Sequence, residues 1–380
     1  MTQPRIGVNL LWLLPEEAGG AEEYAMRLLR ALDEVAGDAL DITLLCNRRF
    51  PSAHPELARR SRIAVAPIDG GSRVARIVAE STWLAREAAK ARLHLVHHLN
   101  NVTPWRTNRP SVLTIHDLRP VALPETLGRA HGAYLRGRLG PSVRQASVVT
   151  TPSAFVRETV IELLGADPDR VQVISAPLFV SEAARTRSSG ASSEPPHFLY
   201  PAITSPHKNH RTLLEAFARV IAVRDDAKLV LTGTAGPAEG AVASAIEELG
   251  LSNNVRRLGR VPAEELDALF RGAVALVYPS TYEGFGLPLA EAMAVGCPVI
   301  ASDRTALPEV VGEAGILLEP DDVDGWSDAM LRLLDDEGRR AELIAAGRER
   351  VRAFSPEEAA RRQVAAYRLA VEAPGRRAAS

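Results

Sequence analysis

The sequence predicts an α/β protein of two doubly wound halves, each a parallel sheet flanked by helices. Three observations lead there. Strand-like and helix-like segments alternate along most of the chain, the pattern that builds βαβ units. The stretch from Ser181 to Pro196, S-E-A-A-R-T-R-S-S-G-A-S-S-E-P-P, is small, polar and proline-ended, as linkers are. A chain of 380 residues is long enough for two domains, each with its own core.

In the first half, Ile6–Trp12 reads as a strand. Gly20–Val35 follows as an amphipathic helix with Tyr24, Leu28, Leu32 and Val35 on one stripe. Further strands are expected at Ile42–Cys46, Ile63–Ala66, Leu93–Leu99, Ser111–His116, Ser147–Thr151 and Val171–Ser175. Val74–Ala91 and Ser153–Leu164 give the clearest helical patterns between them. The second half offers strands at Phe198–Pro201, Lys228–Leu231, Val255–Leu258, Ala275–Tyr278, Val299–Ala301 and Ile316–Leu318. Its helices are expected at Arg211–Val223, Glu264–Phe270 and near Trp326–Leu334, with Pro356–Val371 as a final amphipathic helix. The expected division is residues 1–180, a linker at 181–196, residues 197–355, and a last helix at 356–372.

Composition narrows the class. Apolar residues make up 46% and charged residues 24%, as in a globular protein. A net charge of −2 gives no general attraction to nucleic acid, and no basic tract matches a nucleic-acid module. The two cysteines, Cys46 and Cys297, lie in separate apolar runs and read as structural thiols of a reducing cytosol. No export signal opens the chain and no eighteen apolar residues run together, so a cytoplasmic protein is expected.

The densest motif is S280-T-Y-E-G-F-G-L-P-L-A-E-A-M-A-V-G-C-P-V-I300. It reads as a strand end, a Gly-Phe-Gly turn, a helix opened by Pro288 and closed by Gly296, and the next strand. The turn therefore lies between a strand's C-terminal end and a helix N-terminus, where open α/β sheets bind anionic or sugar ligands. Glu283 and Glu291 bracket it. An isolated pair at this spacing would be unremarked, since a first-turn glutamate suits the helix dipole. With the whole motif intact, the stretch resembles the donor-site signature of glycosyltransferase family 4, retaining enzymes of the GT-B fold, of the bacterial mannosyl and rhamnosyl type.

That resemblance covers nearly the whole chain. It implies two Rossmann-like domains facing a cleft, with the last helix crossing back onto the N-terminal domain. It implies donor contacts from Gly284, Phe285, Gly286 and Leu287, with Glu291 on the ribose and Glu283 on the transferred sugar. In P-A-I-T-S-P-H-K-N-H-R, Lys208 matches the lysine that neutralises the leaving diphosphate. Where many members carry an arginine six residues earlier this chain has Ala202, and His207 or His210 is the expected substitute. V-R-R-L-G-R-V resembles the base-holding turn, which picks out Gly259 and Val261; Gly233 ends the preceding strand. Gly19 and Gly20 precede a helix, where a tight turn is the plain reading and an approach to the donor diphosphate the implied one. His116, before Asp117 in T-I-H-D-L, could cap carbonyls, whereas the resemblance implies contact with the transferred sugar.

His94, His97 and His98 alternate across a strand, so they cannot form one metal-ligand set. Two Asp-x-Asp spellings occur. Asp167 and Asp169 precede a strand, at the wrong edge for a ligand, and Asp322 and Asp324 introduce a helix, where aspartate caps. No metal and no cofactor are expected. The partners expected are a nucleotide-diphosphate sugar (GDP-mannose or dTDP-rhamnose-like) and a glycan, lipid-linked or small-molecule acceptor. The basic stretch Arg129, Arg136, Arg138 and Arg144 reads as a solvated face, with contact to the inner face of the membrane as the alternative. An epimerase or phosphorylase shares this architecture, but no pyridoxal-lysine motif is present. A two-domain solute-binding protein would carry an export signal.

Overall fold

The computed structural model describes residues 3–15, 19–37, 39–126, 128–179 and 195–372. Most of the expected linker lies outside these, as do the residues after 372. The chain forms two compact units. One comprises Met1–Pro177 together with Phe354–Ser380, and the other Leu178–Ala353.

The first unit is built on seven strands: β1 (Arg5–Leu10), β2 (Asp41–Cys46), β3 (Arg62–Val65), β4 (Leu95–His98), β5 (Ser111–Thr114), β6 (Val148–Thr151) and β7 (Val171–Val173). Every pairing is parallel, in the order β3-β2-β1-β4-β5-β6-β7. The order reverses between β1 and β4, which are paired from Ile6 opposite Leu95 to Asn9 opposite His98. β4, β5 and β6 are buried along their whole length, as central parallel strands covered on both faces must be. The helix Gly20–Ala36 buries Tyr24, Leu28, Leu29 and Leu32. Val35, expected on the same stripe, is 41% exposed, because the helix ends just beyond it. The final helix, Pro356–Glu372, packs against Gly20–Ala36 and against β6.

One expected helix is two. Val74–Ala91 is divided into Arg73–Ser81 and Trp83–Lys90. At the break the hydroxyls of Ser81 and Thr82 donate to the carbonyls of Ile77 and Val78, at 2.9 and 2.7 Å. Such back-bonding competes with the helical ladder and bends it.

The second unit holds β8 (His197–Pro201), β9 (Lys228–Thr232), β10 (Val255–Gly259), β11 (Ala273–Tyr278), β12 (Val299–Ser302) and β13 (Ile316–Leu318). These are again all parallel, in the order β10-β9-β8-β11-β12-β13. Here the order reverses between β8 and β11. The helix Leu287–Val295 after β11 is apolar on most sides and buries Leu289, Ala290, Ala292, Met293 and Ala294, so packing rather than amphipathicity holds it. Helices Glu239–Glu248 and Glu337–Arg350 were not anticipated. The second is too evenly charged to show an apolar stripe, and Asp336 caps it by accepting from the Arg339 amide at 2.7 Å.

Candidate active site

Parallel α/β sheets leave a crevice where strand order reverses, at the C-terminal ends of the strands. In the second unit that place is served by the loops after β8 and β11, and these carry Lys208 and Glu283. After β8 the chain makes a single 3-10 turn, Pro206–Lys208, then turns through Asn209 in the left-handed region (φ 52°) into the helix His210–Val223. The Tyr200 hydroxyl donates to the Lys208 carbonyl at 2.6 Å, and the Thr281 amide donates to the His207 carbonyl at 2.8 Å, so the two loops are joined.

Lys208 Nζ donates to Glu283 Oε1 at 2.5 Å and to the Tyr278 hydroxyl at 3.2 Å. Both charged side chains are mostly covered, at 12% and 13% exposure. Burial alone would raise the Glu283 carboxyl, but the Lys208 charge and hydrogen bond outweigh it and hold the group below its ordinary value. The carboxyl is therefore ionised. Removing either partner of such a buried pair typically costs about 3–5 kcal/mol, because the other charge is left uncompensated. The Glu283 amide donates to Thr305 Oγ1 at 3.0 Å. Thr305 has φ 56°, a conformation that costs a β-branched residue about 1–3 kcal/mol. Neither Tyr278 nor Thr305 was singled out in the sequence. Tyr278 reads there as core, and nothing in the local pattern marks Thr305.

The Gly-Phe-Gly turn leads from β11 into the helix Leu287–Val295, whose N-cap is Gly286 and whose C-cap is Gly296, both left-handed at φ 93° and 83°. A Cβ at Gly286 would meet only the movable end of the Leu307 side chain, at 2.6 Å, so it is the left-handed backbone that calls for glycine there. Among the described residues no side chain caps this N-terminus. Phe285 is buried, and Glu291 sits half-buried one turn in.

Gly233 and Gly259 meet at the ends of β9 and β10, where the Gly233 amide donates to the Gly259 carbonyl at 2.7 Å. Gly233 has φ 123°, and a Cβ there would stand 2.5 Å from the Ala202 carbonyl oxygen. The backbone of Ala202 thus presses on Gly233. Val261 follows, half-buried. The expectation that His210 replaces the missing cation is corrected. Its ring is buried against Tyr200 at 4.8 Å, and burial and the nearby Lys208 charge push it down to about 4, so it is neutral. His207 is buried, with Nδ1 3.1 Å from Ser205 Oγ.

In the first unit Gly19, at φ 57°, is the N-cap of the helix Gly20–Ala36; residues 16–18 of the same loop lie outside the described residues. Both glycines are exposed, and a Cβ on either would meet nothing within 4 Å. His116 follows β5. Its amide donates to Asn101 Oδ1 at 2.7 Å, and its Nε2 lies 2.9 Å from the Leu99 carbonyl, which makes Nε2 the protonated nitrogen. Burial lowers its proton affinity, so the ring is neutral with Nδ1 as acceptor, edge-on to Tyr24 at 5.1 Å. Asp117 accepts from the Arg119 amide at 3.0 Å and so shapes its own turn.

The three strand histidines have separate partners. His97 lies between the Tyr367 and Thr114 hydroxyls at 2.9 and 2.8 Å, His98 faces the Asn9 amide at 3.2 Å, and His94 accepts from the Arg5 amide at 2.9 Å. Asp322 accepts from the Gly325 amide at 2.9 Å and Asp324 pairs with Arg219, while Asp167 accepts from the Asp169 amide at 3.1 Å. All four aspartates are thus placed at turns and helix starts. Among the described residues no group of three His, Cys, Asp or Glu converges as a metal site. Cys46 and Cys297 are buried free thiols, pushed up by burial to about 11 and about 12.

Two all-parallel sheets with glycine turns at their strand ends define the GT-B architecture. Comparison with solved structures agrees. Sucrose-phosphate synthase from Thermosynechococcus elongatus superimposes with a TM-score of 0.76 at 23% identity, covering 97% of this chain and 98% of that one. Anabaena HepE in complex with UDP and glucose gives 0.72 at 19% identity, over 96% and 98%. The description "Glycosyltransferase Family 4" matches residues 18–178, and "Glycosyl transferases group 1" matches residues 182–350. O-antigen chain mannosyltransferase B of Escherichia coli is 33% identical over 284 residues, 73% of this chain and 74% of that protein. O-antigen chain mannosyltransferase RfbU of Salmonella typhimurium is 28% identical, over 83% and 88%. The chain belongs to glycosyltransferase family 4 and is a glycosyltransferase.

Proposed function

We propose that the chain transfers a hexose, mannose in the first instance, from a nucleotide-diphosphate donor to a hydroxyl acceptor, with retention and without a metal. The observation that carries this reading is the buried Lys208–Glu283 pair beside the Gly286 helix N-terminus, at the strand-order reversal of the second unit. A lysine there offsets the negative charge that grows on a departing diphosphate, and the helix N-terminus adds to it. Glu283 holds the Lys208 ammonium in place through their hydrogen bond, and its second oxygen is suited to a sugar hydroxyl. Glu291, one turn into the helix, is suited to a ribose. In the first unit the neutral His116 offers Nδ1 to a hydroxyl of the transferred sugar. No side chain need act as a covalent nucleophile, because a donor phosphate oxygen can take the acceptor proton on the face the nucleophile enters. The mannosyltransferase relatives favour GDP-mannose, with a dTDP-rhamnose-like donor as the second choice.

The test is hydrolysis of GDP-, UDP- and dTDP-sugars without acceptor, followed by NMR of the released sugar. Release from GDP-mannose with the anomeric configuration first retained is the expected result. Release of inverted sugar, or conversion to an epimer without release, would overturn the reading.

A further inference from the structure

His116 follows β5, and the loop after β4 grips it at two points. Asn101, in that loop, is half-buried and has φ 38°, in the left-handed region that asparagine tolerates and most residues avoid. β4 and β5 pair as far as His98 opposite Leu113. Beyond that point the strands part, and Asn101 alone continues their ladder. Its own amide donates to the Thr114 carbonyl at 3.0 Å, and its Oδ1 accepts from the His116 amide at 2.7 Å. One residue thus pins both ends of the segment that delivers His116. A non-glycine residue in this conformation carries strain, and such residues cluster at functional sites.

The anchor and the ring are both fixed. Thr114 is held by its hydroxyl, which lies 2.8 Å from both His97 Nε2 and the Thr150 hydroxyl. The Leu99 carbonyl, two positions before Asn101, accepts from His116 Nε2 at 2.9 Å. Against the ring stands Tyr24, edge-on at 5.1 Å and 3% exposed, its hydroxyl donating to the Ile174 carbonyl at 3.0 Å. The bond from Asn101 sets where the imidazole starts, the Leu99 carbonyl sets its tautomer, and Tyr24 limits its rotation. Nδ1 is left as the ring atom able to accept. A backbone shift at His116 would lengthen the bond to Leu99 and release the tautomer.

We propose that Asn101 is the positioning residue of His116, holding it so that Nδ1 faces a hydroxyl of the transferred sugar. The inference rests on the transferase reading, which gives His116 that contact, and it adds a residue outside every motif that reading uses. Asn101 acts through the His116 backbone rather than on the substrate. Asparagine suits the task because it joins tolerance of the left-handed region to a short side-chain acceptor. Glycine in its place would keep the turn and lose the acceptor, and aspartate would keep both.

The test pairs Asn101→Gly with Asn101→Asp in the full chain. Nitrogen-15 NMR of histidine-labelled protein, assigned with His116→Gln, reads the tautomer directly. Wild type should show His116 protonated at Nε2, and Asn101→Gly a mixture of tautomers. In GDP-mannose hydrolysis Asn101→Gly should lower kcat/KM by about tenfold or more, as a small misplacement at a reacting centre does. GDP affinity by calorimetry should stay unchanged, since GDP lacks the sugar. Asn101→Asp, assayed at about pH 8 so that the added carboxylate leaves His116 neutral, should restore the tautomer and most of the rate. Unchanged His116 signals in Asn101→Gly, unchanged kcat/KM, or equal losses in the two variants overturn the proposal. If the wild type does not hydrolyse GDP-mannose, the donor reading fails by itself, and the tautomer comparison still decides what Asn101 does.

Discussion

Both sheets reverse strand order, between β1 and β4 in one unit and between β8 and β11 in the other, yet the charges there are arranged differently. In the second unit one lysine meets one glutamate, buried and balanced. In the first, the Asn9 side-chain amide lies 3.2 Å from both His98 Nδ1 and Glu80 Oε1, and burial pushes the Glu80 carboxyl up against the charges of Arg76 and Arg138. The backbone supplies the crevice in both cases, and the side chains at the strand ends decide what it can hold. A balanced pair suits a group whose charge changes during reaction, because Lys208 is already fixed and desolvated before that charge appears.

This contrast is broken most severely at Lys208. Lys208→Ala should lower kcat by about 10²–10³, as loss of one preorganised electrostatic donor does. It should leave nucleoside monophosphate affinity within a few-fold, since the charge it meets grows in the transition state. Steady-state kinetics beside calorimetry would show this, and unchanged kcat would reduce Lys208 to a structural ion-pair partner.

Glu291→Gln gives a smaller effect confined to ground-state binding. A charged hydrogen bond to ribose is worth roughly 1.5–3 kcal/mol, so nucleotide affinity should fall about tenfold or more with the fold intact. Unchanged affinity would return Glu291 to the role of a dipole-complementing glutamate.

Acid separates the units by stability. His97 and His98 are both held near 3 by burial, against an ordinary 6.5, so they are neutral when folded and bind protons when unfolded. Their contribution is complete above pH 6.5 and is lost as pH falls toward about 3, at up to about 1.4 kcal/mol per pH unit for each. The second unit has His210, held near 4, acting in the same sense. Glu80, pushed up, partly opposes the trend in the first unit. Hydrogen exchange should therefore show the amides around β4 and β5 losing protection faster than those around β8 and β11 between pH 6.5 and 5. Equal loss in both would contradict this assignment.

The alternation of strands and helices, the motif from Ser280 to Ile300 and the lysine before the His210–Val223 helix were legible because periodicity and glycine placement are local properties. Glycines 233, 259 and 286 were legible as residue types, and the structure adds their left-handed backbones and the Ala202 carbonyl against Gly233. Relations between distant residues were not legible. Lys208 and Glu283 are separated by 75 positions, and each suggested a ligand role before the fold showed them bonded to each other. The basic stretch around Arg138 read as a solvated face, whereas Arg138 is 5% exposed and donates to the Thr103 and Pro104 carbonyls, more than thirty positions away. His210 offered a cation by spelling alone, and burial against Tyr200 with the Lys208 charge nearby makes it neutral.

The smallest expected effect is also the most direct test. If Lys208 and the Gly286 helix N-terminus compensate the leaving diphosphate, a divalent ion adds nothing to the reaction. Turnover of GDP-mannose by the wild type, freed of bound metal and assayed in excess EDTA, should equal that in Mg²⁺ or Mn²⁺. Activity abolished by EDTA and restored by either ion would contradict the metal-free account and the role given to Lys208.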